Sequence, residues 1–416
     1  MDPLTDPNRQ LKLRDRLVHL AAATPVTCAA TGSLADVIIT PVEVCDQHGT
    51  GVLIRLIFGG SPGVITVRSR NNYGGYQRFG DCRFLLAYGD QSRPDVFSKV
   101  LSTFRGIEVR RLVCIPYYPD DVRTAIALKD IFAAPLCTYV MDDQNIEVEG
   151  IPDSLLSELL AKSDLRLAIS SELREAYQKK FGLRFWLLPP VAATHLIQSS
   201  HTVPVRDAIM RRHGVIVGNI WSAHWLQQLR DIVDDSEIEL DWYSNAGLLW
   251  QKLSAEELTA AGIHLRAGLP EERLTPILRQ SPYVVVPTGT LGAGDSHRFI
   301  SRFSLPSKIP YVLATSNTPI LVLGHPDTAA ARFVTSNGIG LSAPYERKRF
   351  QGAVAEITDS ASQLRMRARA AEMAPTFSSE GVRDWIWRSM EARTAVDDRW
   401  ERLASRDTPE DPAETP

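Results

Sequence analysis

Three short stretches carry residue types whose spacing suits chemistry. The first is Phe303-Ser-Leu-Pro-Ser-Lys-Ile-Pro-Tyr-Val-Leu-Ala-Thr-Ser-Asn-Thr-Pro-Ile-Leu-Val-Leu-Gly324. It reads as a loop, a helix of about three turns and a buried strand, because Ile309, Val312, Leu313 and Ser316 fall on one helical face. Ser307 is the expected N-cap, and Pro310 falls in the first turn, where a missing N–H costs nothing. A helix start with free N–H groups, the Ser307 hydroxyl and the Lys308 ammonium makes an anion site, and a nucleoside diphosphate is the leading anion. The alternative is a lysine that only faces solvent.

The second stretch is the strand Leu136 to Val140, which ends in Asp142 and Asp143. Adjacent carboxylates face different directions, so one suits a general base in a crevice while its neighbour caps a turn. The alternative is a pair of turn-capping residues. The third is Cys-Asp-Gln-His48-Gly49-Thr50-Gly51, between an apolar strand expected over 37–44 and a helix expected over 52–58. A glycine turn between strand and helix is the setting of a phosphate loop, and His48 competes as base because imidazole titrates near neutrality. Ile54 stands where the full dinucleotide fingerprint needs glycine, so a turn without a ligand is the other reading. Arg68 and Arg70, after the apolar segment 64–67, are candidates for an anionic acceptor. They lead into 71–76, expected to be a mobile loop. Gly289 and Gly294 have the Walker spacing, but Asp295 replaces its lysine and would repel phosphates, which excludes an ATPase.

The elements that must position these residues alternate between strand and helix. Apolar segments near 37, 64, 112, 136, 165 and 185 alternate with helical patterns as far as Pro189-Pro190, and a second series begins at Gly214. That pattern means an α/β chain with two doubly wound sheets. The expected layout is an N-terminal helix and linker over 1–35, a first domain over 36–195 and a second over 196–378. A tryptophan-bearing helix over 379–404 and a disordered Pro/Glu/Asp/Thr-rich tail over 405–416 follow. Residues 8–22 read as a basic amphipathic helix, packed on the first domain or touching a membrane.

The segment SLPSKIPYVLATSNTPIL resembles part of the second domain of two-Rossmann-domain (GT-B) glycosyltransferases, in which a Ser-Lys step opens the helix under the donor diphosphate. Tyr-Val-Met-Asp-Asp and the ISSELREAYQKKFG…LLPPV cadence resemble GT-B first domains. In this chain Tyr311 stands near a usual glutamate and Asn317 near a usual glycine. The resemblance implies two Rossmann-like domains facing across a cleft, with C-terminal helices bracing the first. It also implies a nucleotide-sugar held by Gly218, Asn219, Thr288, Gly289, Asp295, Ser296, His297, Ser307 and Lys308. Asp142 or Asp143, with His48 in competition, would deprotonate a hydroxyl acceptor and invert the sugar. Gly49, Thr50, Gly51, Arg68 and Arg70 would meet the acceptor, which is a glycan, a lipid-linked group or a protein. The wider expectation is a hexosyltransferase-type enzyme of bacterial cell-surface polysaccharide assembly. No cofactor and no metal are expected. Rival readings are a sugar-nucleotide epimerase or hydrolase, a nicotinamide oxidoreductase, and a non-catalytic GT-B-like binding subunit.

The totals fit. A chain of 416 residues with 44% hydrophobic and 23% charged residues is an ordinary globular protein of two or three domains. A net charge of −3 gives no global attraction to nucleic acid. Five cysteines without a Cys-x-x-Cys pair suggest neither a disulfide framework nor structural zinc, and a cytoplasmic location, at most membrane-peripheral, is expected.

Overall fold

The computed structural model describes residues 34–201, 211–244 and 253–404. The helix expected over 8–22 and the tail expected over 405–416 lie outside the described residues. The chain divides into two compact units. The first comprises residues up to Ala168, with Ala176–Trp186 and Arg383–Val396. The second comprises Ile169–Glu175, Leu187–Val382 and the residues from Asp397 on.

The first unit is built on a seven-stranded sheet of order β3-β2-β1-β4-β5-β6-β7. Its strands are β1 (Leu34–Thr40), β2 (Val64–Arg68), β3 (Cys82–Leu85), β4 (Glu108–Cys114), β5 (Leu136–Val140), β6 (Leu165–Ala168) and β7 (Trp186–Leu187). The pairs β1–β2, β1–β4, β2–β3, β4–β5 and β5–β6 are parallel. Buried parallel strands need no polar alternation, which is why Ile38, Ile39, Leu112, Val113, Leu136 and Cys137 run as apolar blocks. The helices α1 (Gly49–Phe58), α2 (Arg93–Thr103), α3 (Pro119–Phe132), α4 (Asp153–Lys162) and α5 (Ser171–Phe181) connect them. β3 and α2 carry no sequence expectation above. The strand expected over 37–44 ends at Thr40, and the helix expected from 52 begins at Gly49, inside the glycine turn. Cys45, Cys114 and Cys137 are free thiols, whereas Cys82 is disulfide-bonded, a covalent bridge the cysteine count did not suggest.

The second unit repeats the plan with six parallel strands in the order β10-β9-β8-β11-β12-β13. They are β8 (His213–Val217), β9 (Glu239–Ser244), β10 (Ile263–Ala267), β11 (Val284–Pro287), β12 (Ile320–Leu323) and β13 (Gly340–Ala343). The helices that matter here are α6 (Ala223–Val233), α7 (Arg298–Phe303), α8 (Lys308–Ser316) and α9 (Ala329–Ser336). Trp225, Leu226, Leu229, Trp242, Val285, Leu321 and Leu323 form the heart of its core. Both sheets reverse strand order between their first and fourth strands, β1/β4 and β8/β11. In open α/β sheets ligands bind at the carboxyl edge of that reversal.

Candidate functional site

In the second unit α8 starts at Lys308, and the helix N-terminus differs from expectation. Ser307 has helical dihedrals (φ −56°, ψ −24°) and makes no side-chain capping bond. An N-cap needs extended backbone to turn its hydroxyl onto the first-turn amides, so Ser307 is not one. The amide of Ile309 donates to Pro306 O, Pro310 has none, and that of Tyr311 donates to Ser307 O. The expected row of free N–H groups therefore shrinks to the amides of Ser307 and Lys308, and the side-chain ammonium is the main positive charge. Lys308 is half-buried, and burial pulls its ammonium down to about 8. It donates to Asn219 O at 2.8 Å and has no carboxylate partner among the described residues.

Asn219 lies in the turn after β8, where Gly218 takes a left-handed φ of 73° that favours glycine. The Asn219 side chain accepts from Ser244 Oγ at 3.1 Å, and Gly218 O accepts from the Trp242 indole at 2.7 Å. The turn is thus locked from β9, and its Asn219 carbonyl points at Lys308. The sequence placed Gly218, Asn219 and Lys308 in one site, and the fold brings these three together.

The loop after β11 is organised differently from the expectation. Asp295 is buried and accepts from Trp225 Nε1 at 3.0 Å, from the Thr290 amide at 2.9 Å and from the His297 amide at 3.0 Å. A carboxylate committed to three donors is the hub of its loop and not a ligand for sugar. Gly289 is required for packing, since a Cβ there would meet Asp295 Oδ2 at 2.5 Å and Ser301 Oγ at 2.6 Å. Thr288 is buried and donates to Leu323 O, so it too is structural. Ser296 is exposed, and its hydroxyl lies 3.0 Å from Nδ1 of the half-buried His297. Of this loop's expected ligands, Ser296 and His297 keep side chains that reach outward. Trp225, absent from the sequence reading, ties the β8 loop to the β11 loop.

In the first unit the glycine turn is not a free phosphate cradle. Nε2 of His48 lies 2.7 Å from Glu43 O, and a carbonyl only accepts, so Nε2 carries the proton. Nδ1 then accepts from the Gly51 amide at 3.3 Å, which makes His48 the N-cap of α1. Both ring nitrogens are occupied, and burial lowers the ring's affinity for a proton, so His48 is not the competing base. A Cβ on Gly51 would meet Cys45 O at 2.4 Å, so that glycine serves close packing. Glu43 is buried and accepts from the amides of Asn72, Tyr73 and Gly75 at 2.6–3.1 Å. Buried Gln77 adds bonds to the Val44 amide and to Thr66. The loop expected to be mobile is therefore pinned at both ends. Arg68 donates to Asn71 Oδ1 and Gly75 O within that loop, which removes it from acceptor binding. Arg70 remains exposed, its guanidinium 3.8 Å from the Tyr118 ring centroid.

The two aspartates after β5 divide as expected in kind. Asp143 is fully buried and accepts from the amides of Asn145, Ile146 and Glu147 at 2.7–2.9 Å, so it is the capping residue and not the base. Asp142 is half-buried, and its Oδ2 accepts a short bond from the Tyr117 hydroxyl. Tyr117, after β4, is a residue that sequence reasoning passed over. Its signal was the Tyr-Tyr pair at a strand end, which specifies no chemistry by itself.

No family model matches the chain, and no curated protein matches it. Solved structures do. Anabaena Alr3699/HepE, in complex with UDP, superposes with a TM-score of 0.60 at 11% identity, over 86% of this chain and all of that one. An α,α-trehalose-phosphate synthase (UDP-forming) from Burkholderia vietnamiensis gives 0.57 at 11% identity, over 88% and 99%. WaaG, a glycosyltransferase involved in lipopolysaccharide biosynthesis, gives 0.53 at 10% identity, over 86% and 99%. The chain has the GT-B fold. In GT-B terms Asn317, near the position of a usual glycine, needs no special account. It ends α8 in the left-handed region (φ 54°), which glycine and asparagine enter most readily. Its amide group also donates to Gln198 O and Leu313 O at 2.9 Å. Tyr311, near the usual glutamate, is buried, and its hydroxyl lies 3.0 Å from Thr275 Oγ1, so it packs between helices.

Proposed function

We propose that this protein is a glycosyltransferase that moves a sugar from a nucleoside diphosphate to a hydroxyl acceptor. The observation that carries the reading is Lys308: a half-buried ammonium, bonded to one carbonyl and paired with no carboxylate among the described residues, at the carboxyl edge of the second sheet. An isolated charge in low dielectric is costly, and a pyrophosphate is the partner that would offset it. HepE, of the same fold, has been captured with UDP and with UDP-glucose, which supports a nucleotide-sugar donor here. Lys308 and the two free amides beside it stabilise the charge that develops on the leaving diphosphate. They supply locally the positive charge that a divalent cation supplies elsewhere, which supports a metal-independent reaction.

Asp142 is assigned as the base. Its carboxylate takes the proton of the acceptor hydroxyl as that oxygen attacks the anomeric carbon. The anomeric C–O bond breaks, and its electron pair leaves on the diphosphate. A single displacement of this kind inverts the anomeric centre. A role in surface-glycan assembly is suggested by the likeness to WaaG, a glycosyltransferase involved in lipopolysaccharide biosynthesis.

Thermal-shift screening with UDP, GDP, ADP and dTDP tests the core of the proposal. One diphosphate should raise the Tm of the wild type, and the rise should largely vanish in Lys308→Ala. Equal shifts in the two proteins would remove Lys308 from the donor site.

A further inference from the structure

Three side chains from separate segments of the first unit meet at the carboxyl edge of its sheet. Thr50 stands in the first turn of α1, Tyr117 follows β4, and Asp142 follows β5. The Tyr117 hydroxyl bonds to Asp142 Oδ2 and lies 3.3 Å from Thr50 Oγ1. The phenol has one proton. An ionised carboxylate only accepts, so that proton points at Asp142 and the tyrosine oxygen accepts from Thr50. The chain therefore has a fixed direction, Thr50 to Tyr117 to Asp142. The turn after β5 does not need this arrangement for its own backbone, because Asp143 already satisfies three of its amides.

We propose that Tyr117, oriented by Thr50, is a positioning residue that aims the Asp142 carboxylate and holds it ionised for proton abstraction. This rests on the assignment of Asp142 as base in the proposed transferase. A hydroxyl donated to one carboxylate oxygen freezes the carboxylate's rotation and directs its other lone pairs. It also stabilises the charged form, so the base stays available at lower pH. The tyrosine cannot be the base itself. Burial first, and the Asp142 charge second, push its ionisation well above the ordinary phenol range, so it keeps its proton throughout. The other titratable groups around the pair are Tyr139 on β5, Asp143 and Tyr177 on α5. Tyr139 and Tyr177 are likewise held protonated by burial, and the Tyr177 hydroxyl faces Asp143 Oδ1 at 3.4 Å.

The test uses the full chain, with UDP-glucose as the probe donor and water as the acceptor. Tyr117→Phe keeps the ring and removes the hydroxyl. Two quantities are followed: UDP release against pH, and the titration of the Asp142 carboxyl by carbon-13 NMR, assigned with Asp142→Asn. Tyr117→Phe should move the Asp142 titration up by about one pH unit. It should also shift the acid limb of the rate profile in the same direction, and lower kcat about tenfold with KM for UDP-glucose unchanged. Thr50→Val should do the same to a smaller degree, and it provides the answer should Tyr117→Phe fail to fold. An Asp142 carboxyl that titrates at the same pH in wild type and variants overturns the proposal. Full UDP release by Asp142→Asn would instead overturn the base assignment, while the NMR comparison would still decide whether Tyr117 governs this carboxylate.

Discussion

At the strand reversal of the first sheet, the loops after β1 and β5 carry Glu43, Asp142 and Asp143, and the first turn of α3, after β4, carries Asp121. At the equivalent reversal of the second sheet, the loops after β8 and β11 carry a single carboxylate, Asp295, turned inward onto Trp225, and the neighbouring helix start presents Lys308. The strand order around the two reversals is the same. Topology therefore supplies an edge lined with amides in both units, and the side chains set the sign of its charge. In the first unit the amides are consumed by the chain's own acids. Glu43 takes three of them, Asp143 takes three, and Asp121 takes those of Tyr117 and Tyr118. An edge filled this way repels phosphates and suits proton transfer. In the second unit an unmatched cation is left waiting, which suits a diphosphate.

The largest expected effect tests the division of labour between the two neighbouring aspartates. Asp143→Ala removes a buried carboxylate and strands three amides, and should cost about 4 kcal/mol of stability in urea unfolding. Asp142→Asn keeps an oxygen that accepts from Tyr117 and should stay within about 1 kcal/mol of wild type. Comparable losses in the two variants would mean that Asp142, too, is mainly structural.

The next effect belongs to the second edge. Lys308→Ala should weaken UDP binding by about 2 kcal/mol, or roughly thirtyfold, in calorimetric titration. The same contact predicts a pH dependence. Lys308 loses its proton at about 8 in the unliganded protein, and a bound diphosphate favours the charged form. Affinity should therefore be full below pH 7 and fall by up to about tenfold per unit above pH 8 in wild type, with no such fall in Lys308→Ala. Stability without ligand runs the opposite way. The folded value is depressed from 10.5 to about 8, so between those limits the unfolded chain binds more protons and the folded protein gains stability as pH rises. The difference between wild type and Lys308→Met isolates that gain from other titrations.

The elements were largely legible in the sequence because buried parallel strands leave uninterrupted apolar blocks, as in Val284–Pro287 and Ile320–Leu323, which pair residue for residue. Polar assignments were less legible, for a physical reason. Whether Asp295, Arg68 or His48 faces a ligand or its own loop depends on which backbone N–H and C=O groups lie within hydrogen-bond reach, and several of those come from positions two to seven residues away in turns whose dihedrals a sequence pattern does not specify. Lys308 was readable because no acid stands near it in the chain, and among the described residues none reaches it in the fold. Tyr117 was not, because its partners Thr50 and Asp142 are 67 and 25 residues distant.

Asn317 gives a smaller effect at the far end of α8. Ala there keeps the left-handed strain and loses two hydrogen bonds, for about 2 kcal/mol. Gly loses the bonds but relieves the strain, for about 1 kcal/mol. Equal losses would mean that the bonds to Gln198 and Leu313, and not the dihedral, select asparagine.

The smallest effect concerns the near end of the same helix, and it is the sharpest test of how the second edge meets an anion. A serine that caps a helix loses about 1 kcal/mol on replacement by alanine. Thr328, which accepts from the Ala331 amide ahead of α9, should show that loss. Ser307, whose helical dihedrals turn its hydroxyl away from the first-turn amides, should not, and Ser307→Ala should leave unliganded stability within about 0.5 kcal/mol. Ser307 is exposed, directly precedes Lys308 in the chain and makes no capping bond, so its hydroxyl can meet a phosphate oxygen. The variant should therefore weaken UDP binding while leaving the Tm of the unliganded protein in place. A fall in unliganded Tm matching that of Thr328→Ala would show that the hydroxyl serves the helix, and the positive edge would then rest on Lys308 and two backbone amides alone.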